Sequence, residues 1–490
     1  MAQRVFVISD LHMASQGRGF FSAQQALEDF IEFITKVPGE VDLMILGDAL
    51  DYLQIEPYLS FTAAQAERKT AAIIANNDGV FDALHDFAAA DGKRLRWAIG
   101  NHDLELLFPV ARQLLEQKIL GGDAGQHSPK LIWHRDGKHF DYVTANGFTI
   151  RLIHGNAGDR WNAINYDAAE AAALSGDATE SIYPPGSVLV AKVLNPLHSQ
   201  GFRHVHMLKP ETTVALPLSL ALWPDDTWDL VRAAFPLFAK KKYSDMTAWL
   251  AERLGLVAKT TFASSRGGEP EEPAEPAEPA SIEQLFGALF EQTIAASDTP
   301  VDQALADDLG GWLTNDNVRE LLDHYLEDAG TARSPKFQAQ GWIKRSIGAL
   351  LQGAARIANG AGNPWIIDQE DELAGPVQRA FADDRVVAVI AGHTHLARTV
   401  SYRGGYYINT GTWADLMKIP RCIPGEDFKD YARNLRGYLE APESCPFELR
   451  PFQRPTYVEI ELNDAGSSTP YRISLREWPT ESSKLLHQYP

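Results

Sequence analysis

Five short polar clusters carry the residue types that could bind metal ions. They combine aspartate, histidine and asparagine without any cysteine, and they are Asp10-Leu11-His12, Gly47-Asp48-Ala49-Leu50-Asp51, Gly100-Asn101-His102-Asp103, His154-Gly155-Asn156 and Gly392-His393-Thr394-His395. Carboxylate, imidazole and amide ligands suit borderline divalent ions such as Mn²⁺, Fe²⁺ or Zn²⁺, whereas Mg²⁺ is less suited to imidazole. The clusters therefore predict a divalent metal site held by oxygen and nitrogen atoms.

Each cluster follows an apolar run that is too short for a helix. These runs are typical of buried strands and lie at residues 5–8, 43–46, 95–99, 150–153 and 386–390. Helical patterning lies between the early runs, at residues 23–35 and 70–90. Alternating strands and helices favour an α/β sheet, in which ligands collect at the carboxyl ends of the strands. Glycines at 47, 100 and 392 would let the chain turn there and bring its backbone close to the ions.

In their order, the five clusters resemble the motif blocks of the metallophosphoesterase (calcineurin-like phosphoesterase) superfamily. Those blocks are D-x-H, G-D-x-x-D, G-N-H-D/E, H and G-H-x-H. The resemblance implies an α/β fold, a β-sandwich flanked by helices, and an enzyme that hydrolyses a phosphomonoester or a phosphodiester. It covers roughly residues 4–154 and 386–413, and it leaves the segment between them without a counterpart.

The resemblance also implies a role for each residue of the clusters. One divalent ion would be held by Asp10, His12, Asp48 and His395, and a second by Asp48, Asn101, His154 and His393. Asp48 would then bridge two ions that share a hydroxide for in-line attack on phosphorus. His102 would face the phosphate as a proton donor or a cationic stabiliser, and Asp103 would orient its ring. Asp51 is expected to support a ligand or cap a helix rather than bind metal.

The residues after His154 extend the resemblance to an H-G-x-x-x-D-x-x-N pattern found in some bacterial members. Arg160 and Asn162 of this extension are predicted to bind substrate, although a solvated Arg160 is an equally good interpretation. His204 and His206 form another H-x-H pair without neighbouring carboxylates, which favours a structural role over a third metal site. Residues 409–413, Asn-Thr-Gly-Thr-Trp, are expected to shape the floor of the site.

The long segment between the fourth and fifth clusters is predicted to be an inserted α-helical cap. Residues 1–158 and 371–490 would form the two parts of the core, and residues 159–370 would form the cap. Helix-like segments at 227–240, 282–295, 317–328 and 342–359 carry this prediction. Residues 264–280 are rich in proline and glutamate and are expected to be a solvated linker. Residues 457–462 and 471–475 predict a closing β-hairpin.

Composition narrows the classes of function. With 45 basic and 65 acidic residues, the net charge of −20 disfavours nucleic acid as a partner. The two cysteines, Cys422 and Cys445, form no C-x-x-C motif and indicate a reducing compartment. The first apolar run ends at Asp10 without a signal-peptide pattern, and no stretch reaches the ~20 apolar residues of a membrane span. We therefore expect a cytoplasmic enzyme.

Two other functions remain open at this point. A metal-binding scaffold that has lost catalysis would show a degraded ligand set or a replaced His102, and neither is the case here. The blocks also resemble the UDP-diacylglucosamine hydrolases of lipid A synthesis, which cleave a pyrophosphate on a lipid-linked nucleotide. Against these, the predicted cap is far larger, and residues 47–51 lack their acidic-aromatic continuation. The expected partner is a small phosphorylated substrate, whereas the substrate, the native metals and the oligomeric state are not determined.

Overall fold

The computed structural model describes residues 3–15, 19–121, 130–159, 162–176, 182–199, 204–209, 367, 375–418, 437–438, 441–444, 450–464, 467–478 and 484–489. The chain divides into two compact units. The first consists of Met1–Pro196, Pro364–Met417 and Pro451–Pro490, and the second of Leu197–Asn363 and Lys418–Arg450. All seven predicted metal ligands lie in the first unit.

A seven-stranded sheet forms one layer of the first unit. Its strands, in order across the sheet, are β14 (Lys484–Tyr489), β13 (Tyr471–Glu477), β12 (Thr456–Leu462), β1 (Gln3–Ile8), β2 (Val41–Leu46), β3 (Lys93–Ala98) and β4 (Leu131–His134). Strands β1 to β4 run parallel, whereas β12 to β14 add antiparallel strands beside β1. All six residues of β2 are buried, as a central parallel strand covered on both faces requires.

A five-stranded sheet forms the second layer. Its order is β5 (Phe140–Val143), β6 (Thr149–Ile153), β8 (Val386–Ala391), β10 (Gly405–Asn409) and β9 (Arg398–Tyr402). Strands β6, β8 and β10 are parallel, and β5 and β9 are antiparallel strands at the edges. All five predicted strands are thereby confirmed, as is the hairpin of β12 and β13. Two short strands, β7 (Leu208–Lys209) and β11 (Met417–Lys418), complete the described strands.

Apolar side chains of the two sheets pack against each other in one core. Val5 and Val7 of β1 belong to this core together with Ile150 of β6 and Ile390 of β8. Phe6 lies between the two valines in the sequence but contacts the ring of Phe30 in the first helix, with ring centroids 6.2 Å apart. This alternation follows the two-residue period of a strand. The sheets therefore form a β-sandwich with a helix on the outer face of β1.

Helices flank the sandwich, as the α/β prediction requires. The described helices are α1 (Gln24–Thr35), α2 (Ala63–Asn76), α3 (Asp78–Ala89), α4 (Pro109–Leu120), α5 (Tyr166–Ser175), α6 (Pro185–Leu189), α7 (Asn195–Ser199) and α8 (Gly375–Ala380). The predicted class, a mixed α/β fold with two sheets and flanking helices, is confirmed. Among the described residues, no helix combines the length and the hydropathy that a membrane span needs.

The single helix predicted at residues 70–90 is wrong in its bounds. The structure has two helices, α2 and α3, separated by Asn77 with φ −123° and ψ 33°. The side-chain nitrogen of Asn77 donates to the carbonyls of Ile73 and Ala14, at 2.8 and 3.1 Å. Asparagine competes for backbone groups in this way and so ends the first helix. Strands β4, β5, β9, β10 and β14 were not predicted, because polar residues interrupt their apolar pattern.

The predicted cap falls mostly outside the described residues. Its helix-like segments at 227–240, 282–295, 317–328 and 342–359, and the Pro/Glu-rich residues 264–280, are not part of the described chain. The first compact unit continues to Pro196 and resumes at Pro364. The division at 158 and 371 stays a prediction.

Candidate metal centre

The predicted ligands lie at the carboxyl ends of five parallel strands. In the first sheet Asp10 follows β1, Asp48 follows β2 and Asn101 follows β3, each within a few residues of the strand end. In the second sheet His154 follows β6 directly and His393 follows β8. Carboxyl ends of parallel strands share an edge, so ligands that are far apart in the sequence come together.

Strained backbone marks the same residues. Five predicted ligands have a positive φ, namely Asp10 (54°), His12 (52°), Asp48 (51°), His393 (71°) and His395 (62°). In the described part of the chain, Arg403 is the one other non-glycine residue with this conformation. A left-handed conformation costs a residue with a side chain about 1–2 kcal/mol. Backbone strain concentrated at these residues indicates that the direction of their side chains matters more than local stability.

The first group of ligand atoms comes from both layers of the sandwich. Nε2 of His12 is 2.9 Å from Nε2 of His395, although the two residues are 383 positions apart. Nε2 of His395 is also 3.4 Å from Oδ1 of Asp10. These three side chains form a group that could hold a metal ion.

The second group lies around Asp48 and His154. Nε2 of His154 is 3.2 Å from Oδ2 of Asp48 and 3.2 Å from Oδ1 of Asn101. Nδ1 of His154 is 2.9 Å from the carbonyl oxygen of Leu46, which can only accept, so Nδ1 carries the proton. Nε2 faces two oxygen acceptors, and in the singly protonated ring a cation between them would stabilise its lone pair. His393 completes this group with Asp48 and His154.

The donor spacing fits divalent ions. Ligands about 2.1 Å from an ion are separated by about 3.0 Å at octahedral angles and about 3.4 Å at tetrahedral angles. Four pairs of these ligand atoms are separated by 2.9 to 3.4 Å, and all ligand atoms of each group lie within 4.8 Å of one another. Two aspartates, an asparagine and four histidines are the donors that Mn²⁺, Fe²⁺ and Zn²⁺ accept. The residues present therefore fit divalent metal ions.

Buried charge in the site also favours a cation. Burial raises the pKa of Asp10, and the neighbouring Asp48 adds to the effect. Burial acts to raise the pKa of Asp48 as well, but the imidazoles of His154 and His102 outweigh it and lower that pKa well below its usual range. Asp48 in turn raises the pKa of His154 to about 9 against the effect of burial. Carboxylates buried this close together are stabilised by a bound cation.

Asp51 supports two histidines at once. Its two carboxylate oxygens lie 3.1 Å from Nδ1 of His12 and 3.1 Å from Nδ1 of His102. It also accepts a hydrogen bond from the backbone of Leu53, at the start of a short 3₁₀ helix. Asp51 thus has both roles that the sequence left open, as a partner of a ligand and as a cap.

The expected task of Asp103 needs correction. Asp103 does not orient the ring of His102, since the carboxylate beside that ring is Asp51. Instead, the oxygens of Asp103 accept hydrogen bonds from the backbone nitrogens of Gly100, at 2.5 Å, and Ala49, at 3.0 Å. It therefore fastens the turn after β3 to the turn after β2. Burial, reinforced by Asp48, raises the pKa of Asp103 to about 7.

Asp10 is held by Ser9, which sequence reasoning did not single out, and by Thr412 of the predicted site floor. The hydroxyl of Ser9 bonds to the Asp10 carboxylate and lies 2.6 Å from the hydroxyl of Thr410. The hydroxyl of Thr412 donates to the carbonyl of Asp10 at 2.6 Å, and Asn409 donates to the carbonyl of Gly392 at 2.6 Å. The expectation that residues 409–413 shape the site floor agrees with these contacts. Ser9 directly precedes the D-x-H block, and this position is the sequence signal that could have identified it as a partner of Asp10.

The three predicted glycines contribute in two ways. Gly47 has φ +86°, a conformation that glycine adopts without strain. Gly100 and Gly392 lack a positive φ and are required for space, since an added Cβ would lie 2.1 Å from an oxygen of Asp48 or 2.6 Å from an oxygen of Asp10. The backbone approach expected from the sequence is therefore present.

The extension after His154 is partly described. Arg160 lies outside the described residues, and its role stays a prediction. Nδ2 of Asn162 donates to Oδ2 of Asp159 at 2.9 Å, and substrate binding by Asn162 also stays a prediction. Sequence reasoning did not single out Asp159, whose Oδ2 lies 3.2 Å from Nε2 of His393, although its place in the H-G-x-x-x-D-x-x-N pattern was a signal. His204 and His206 belong to no group that could hold a metal among the described residues.

Comparison with known proteins finds a family match over the first part of the chain. The model of the family described as calcineurin-like phosphoesterase matches residues 3–173. Residues 3–173 are therefore similar to the calcineurin-like phosphoesterases. This match includes the first four clusters but ends before His393 and His395, which the structure brings to the other ligands. The chain is accordingly a metal-dependent hydrolase that acts on phosphoesters.

Other comparisons add little about this phosphoesterase. No curated protein matches the chain. Among solved structures, the crystal structure of phosphopantetheinyl hydrolase from Mycobacterium tuberculosis is similar at 9% identity and a TM-score of 0.24, over 92% of this chain and 96% of that one. A superposition with this TM-score carries no argument about fold or substrate.

Proposed function

We propose that this phosphoesterase hydrolyses a small phosphomonoester or phosphodiester at a centre of two divalent ions. The observation that carries the proposal is that the fold assembles two groups of side chains that could each hold a metal ion. One group is Asp10, His12 and His395, and the other is Asp48, His154 and His393. Two bound ions would supply a shared hydroxide for attack on phosphorus and neutralise charge on the phosphoryl oxygens. Mn²⁺, Fe²⁺ and Zn²⁺ are the candidate ions.

The ligands divide between the ions as the motif order implies. The first ion is assigned to Asp10, His12, Asp48 and His395, and the second to Asp48, Asn101, His154 and His393. Asp48 is assigned to both. Its Oδ2 lies 3.2 Å from Nε2 of His154, and its Oδ1 accepts a hydrogen bond from the backbone nitrogen of His102 at 2.8 Å. The carboxylate is therefore held at both oxygens.

His102 is assigned to the substrate. Its side chain is 15% exposed, and its ring lies 4.7 Å from the ring of His12, so it borders the ligand groups. Asp51 accepts from Nδ1 and stabilises the doubly protonated ring. A cationic His102 would balance phosphoryl charge and donate its other proton, from Nε2, to the leaving oxygen. Asp103 contributes by holding the turn that carries His102.

The presence of both His102 and its partner Asp51 favours catalysis over a metal-binding scaffold that has lost it. The discriminating experiment uses metal-free protein supplied with Mn²⁺, and it compares p-nitrophenyl phosphate, bis-p-nitrophenyl phosphate and a nucleoside diphosphate sugar. We expect hydrolysis of at least one ester and none without metal. Equal rates in metal-free and Mn²⁺-loaded protein would falsify the proposal. Cleavage confined to the diphosphate would instead identify a pyrophosphate hydrolase.

A further inference from the structure

Asp159 lies against a histidine of the second ligand group. Oδ2 of Asp159 is 3.2 Å from Nε2 of His393. Both side chains are largely buried, with exposed fractions of 17% and 12%. His393 belongs to the group formed with Asp48 and His154, and Asp159 is not a member of it. Asp159 therefore touches a ligand rather than taking a ligand position itself.

This contact determines which nitrogen of His393 carries the proton. A carboxylate oxygen accepts, so Nε2 donates its proton to Asp159 and Nδ1 keeps the lone pair that an ion requires. His154 has the opposite arrangement, since Nδ1 donates to the carbonyl of Leu46 and Nε2 lies 3.2 Å from Asn101. His393 is thus the opposite tautomer from His154, and its contact with Asp159 selects that tautomer.

Asn162 holds Asp159 in turn. Nδ2 of Asn162 donates to Oδ2 of Asp159 at 2.9 Å, and its backbone nitrogen donates to the carbonyl of Asp159 at 2.9 Å. The carbonyl of Asn162 accepts from Nδ2 of Asn156 at 2.9 Å, and the same nitrogen also donates to the hydroxyl of Tyr166 at 3.2 Å. Hydrogen bonds among Asn156, Asp159 and Asn162 therefore fix the position of Asp159 before an ion binds.

The backbone of His393 serves the first ligand group. Its backbone nitrogen donates to both oxygens of Asp10, at 3.1 and 2.9 Å. A change in the side chain of Asp159 leaves this backbone contact in place. The two ligand groups can therefore be perturbed separately.

We propose that Asp159 is a positioning residue for the second metal ion, which it serves by holding His393 with Nδ1 towards that ion, while Asn162 holds Asp159. The inference rests on the proposed two-ion centre, in which His393 is a ligand of the second ion. Losing a partner of this kind typically weakens metal binding by about 10–100-fold.

Calorimetric titration of metal-free protein with Mn²⁺ tests the inference without using activity. The variant is Asp159→Ala, and the matched control is Asp141→Ala, which removes a carboxylate that is 26% exposed and bonded to Arg151 at 2.8 Å. We expect two equivalents of Mn²⁺ in the wild type and the control. In Asp159→Ala the second equivalent should bind about 10–100-fold more weakly, while the first keeps its affinity.

Further variants separate positioning from a general loss of structure. Asn162→Ala should weaken the same equivalent by a smaller factor, and it keeps the inference testable if Asp159→Ala does not fold. In a His393→Ala background, Asp159→Ala should have no additional effect, because the residue through which it acts is absent. Unchanged affinity of the second equivalent, equal weakening of both, or an additive effect in that background overturns the inference. A wild type that binds one Mn²⁺ overturns the two-ion centre as well, whereas two ions with an unaffected Asp159→Ala overturn this inference alone.

Discussion

Substitution of Gly100 by alanine tests whether the site depends on close backbone approach. An added Cβ would lie 2.1 Å from Oδ1 and 2.6 Å from the backbone nitrogen of Asp48, and 2.8 Å from Nε2 of His154. Real Cβ contacts are essentially never shorter than 3.0 Å, so the carboxylate must move by about 0.9 Å. The backbone nitrogen cannot rotate away as a side chain can. The turns after β2 and β3 must therefore separate.

The expected cost follows from this displacement. Overpacking of a close-packed site lowers the free energy of unfolding by about 1–3 kcal/mol. A misplacement of ~1 Å at reacting groups costs about 100-fold in rate. We expect Gly100→Ala to fold, to lose affinity for both ions because Asp48 is assigned to both, and to lose about 100-fold in kcat at saturating Mn²⁺.

Urea unfolding of the metal-free protein, Mn²⁺ titration and kcat measure these three effects. Gly39→Ala is the control, since φ there is +85° but no atom lies within 4 Å of the added Cβ. It should cost about 1–2 kcal/mol from backbone strain and leave metal affinity unchanged. Wild-type metal affinity and kcat in Gly100→Ala would refute the reasoning.

Three other predictions follow from the same geometry. Asp48→Ala should abolish Mn²⁺-dependent hydrolysis more completely than loss of any other single ligand, as measured by kcat/KM at increasing Mn²⁺; a full rescue by excess metal would contradict its bridging assignment. His102→Ala should lower kcat by about 10²–10⁴-fold with both ions retained in elemental analysis, and by less with a nitrophenol leaving group; a missing ion would reassign it as a ligand. In the structure, the ammonium group of buried Lys69 lies 3.6 Å from Oε1 of buried Glu105. Lys69→Met should lower the free energy of unfolding by about 3–5 kcal/mol, because it leaves Glu105 without its countercharge. Lys36→Met, which removes an exposed i,i+4 pair, should cost at most about 0.5 kcal/mol; equal losses in urea unfolding would exclude the buried pair as the cause.

The strands and their order of ligands could be predicted from the sequence because both depend on local pattern. Apolar runs of four or five residues, each followed by a polar cluster, indicate buried strands whose carboxyl ends carry a site. The family resemblance then names each ligand. The break at Asn77 was missed for a related reason, since its side chain bonds to Ala14, 63 residues earlier, and a local window does not include such a partner.

The sequence by itself determined which residue types are available to bind metal and at which strand ends they occur. Tertiary structure decided the partner of each side chain: Asp51 rather than Asp103 lies beside His102, and Asp159 lies beside His393, 234 residues away. The physical reason is that a hydrogen bond requires placement to within a few tenths of an ångström. Spacing along a strand or loop does not specify that placement, which arises when the two sheets pack and the strained turns after β1, β2 and β8 direct their side chains inward.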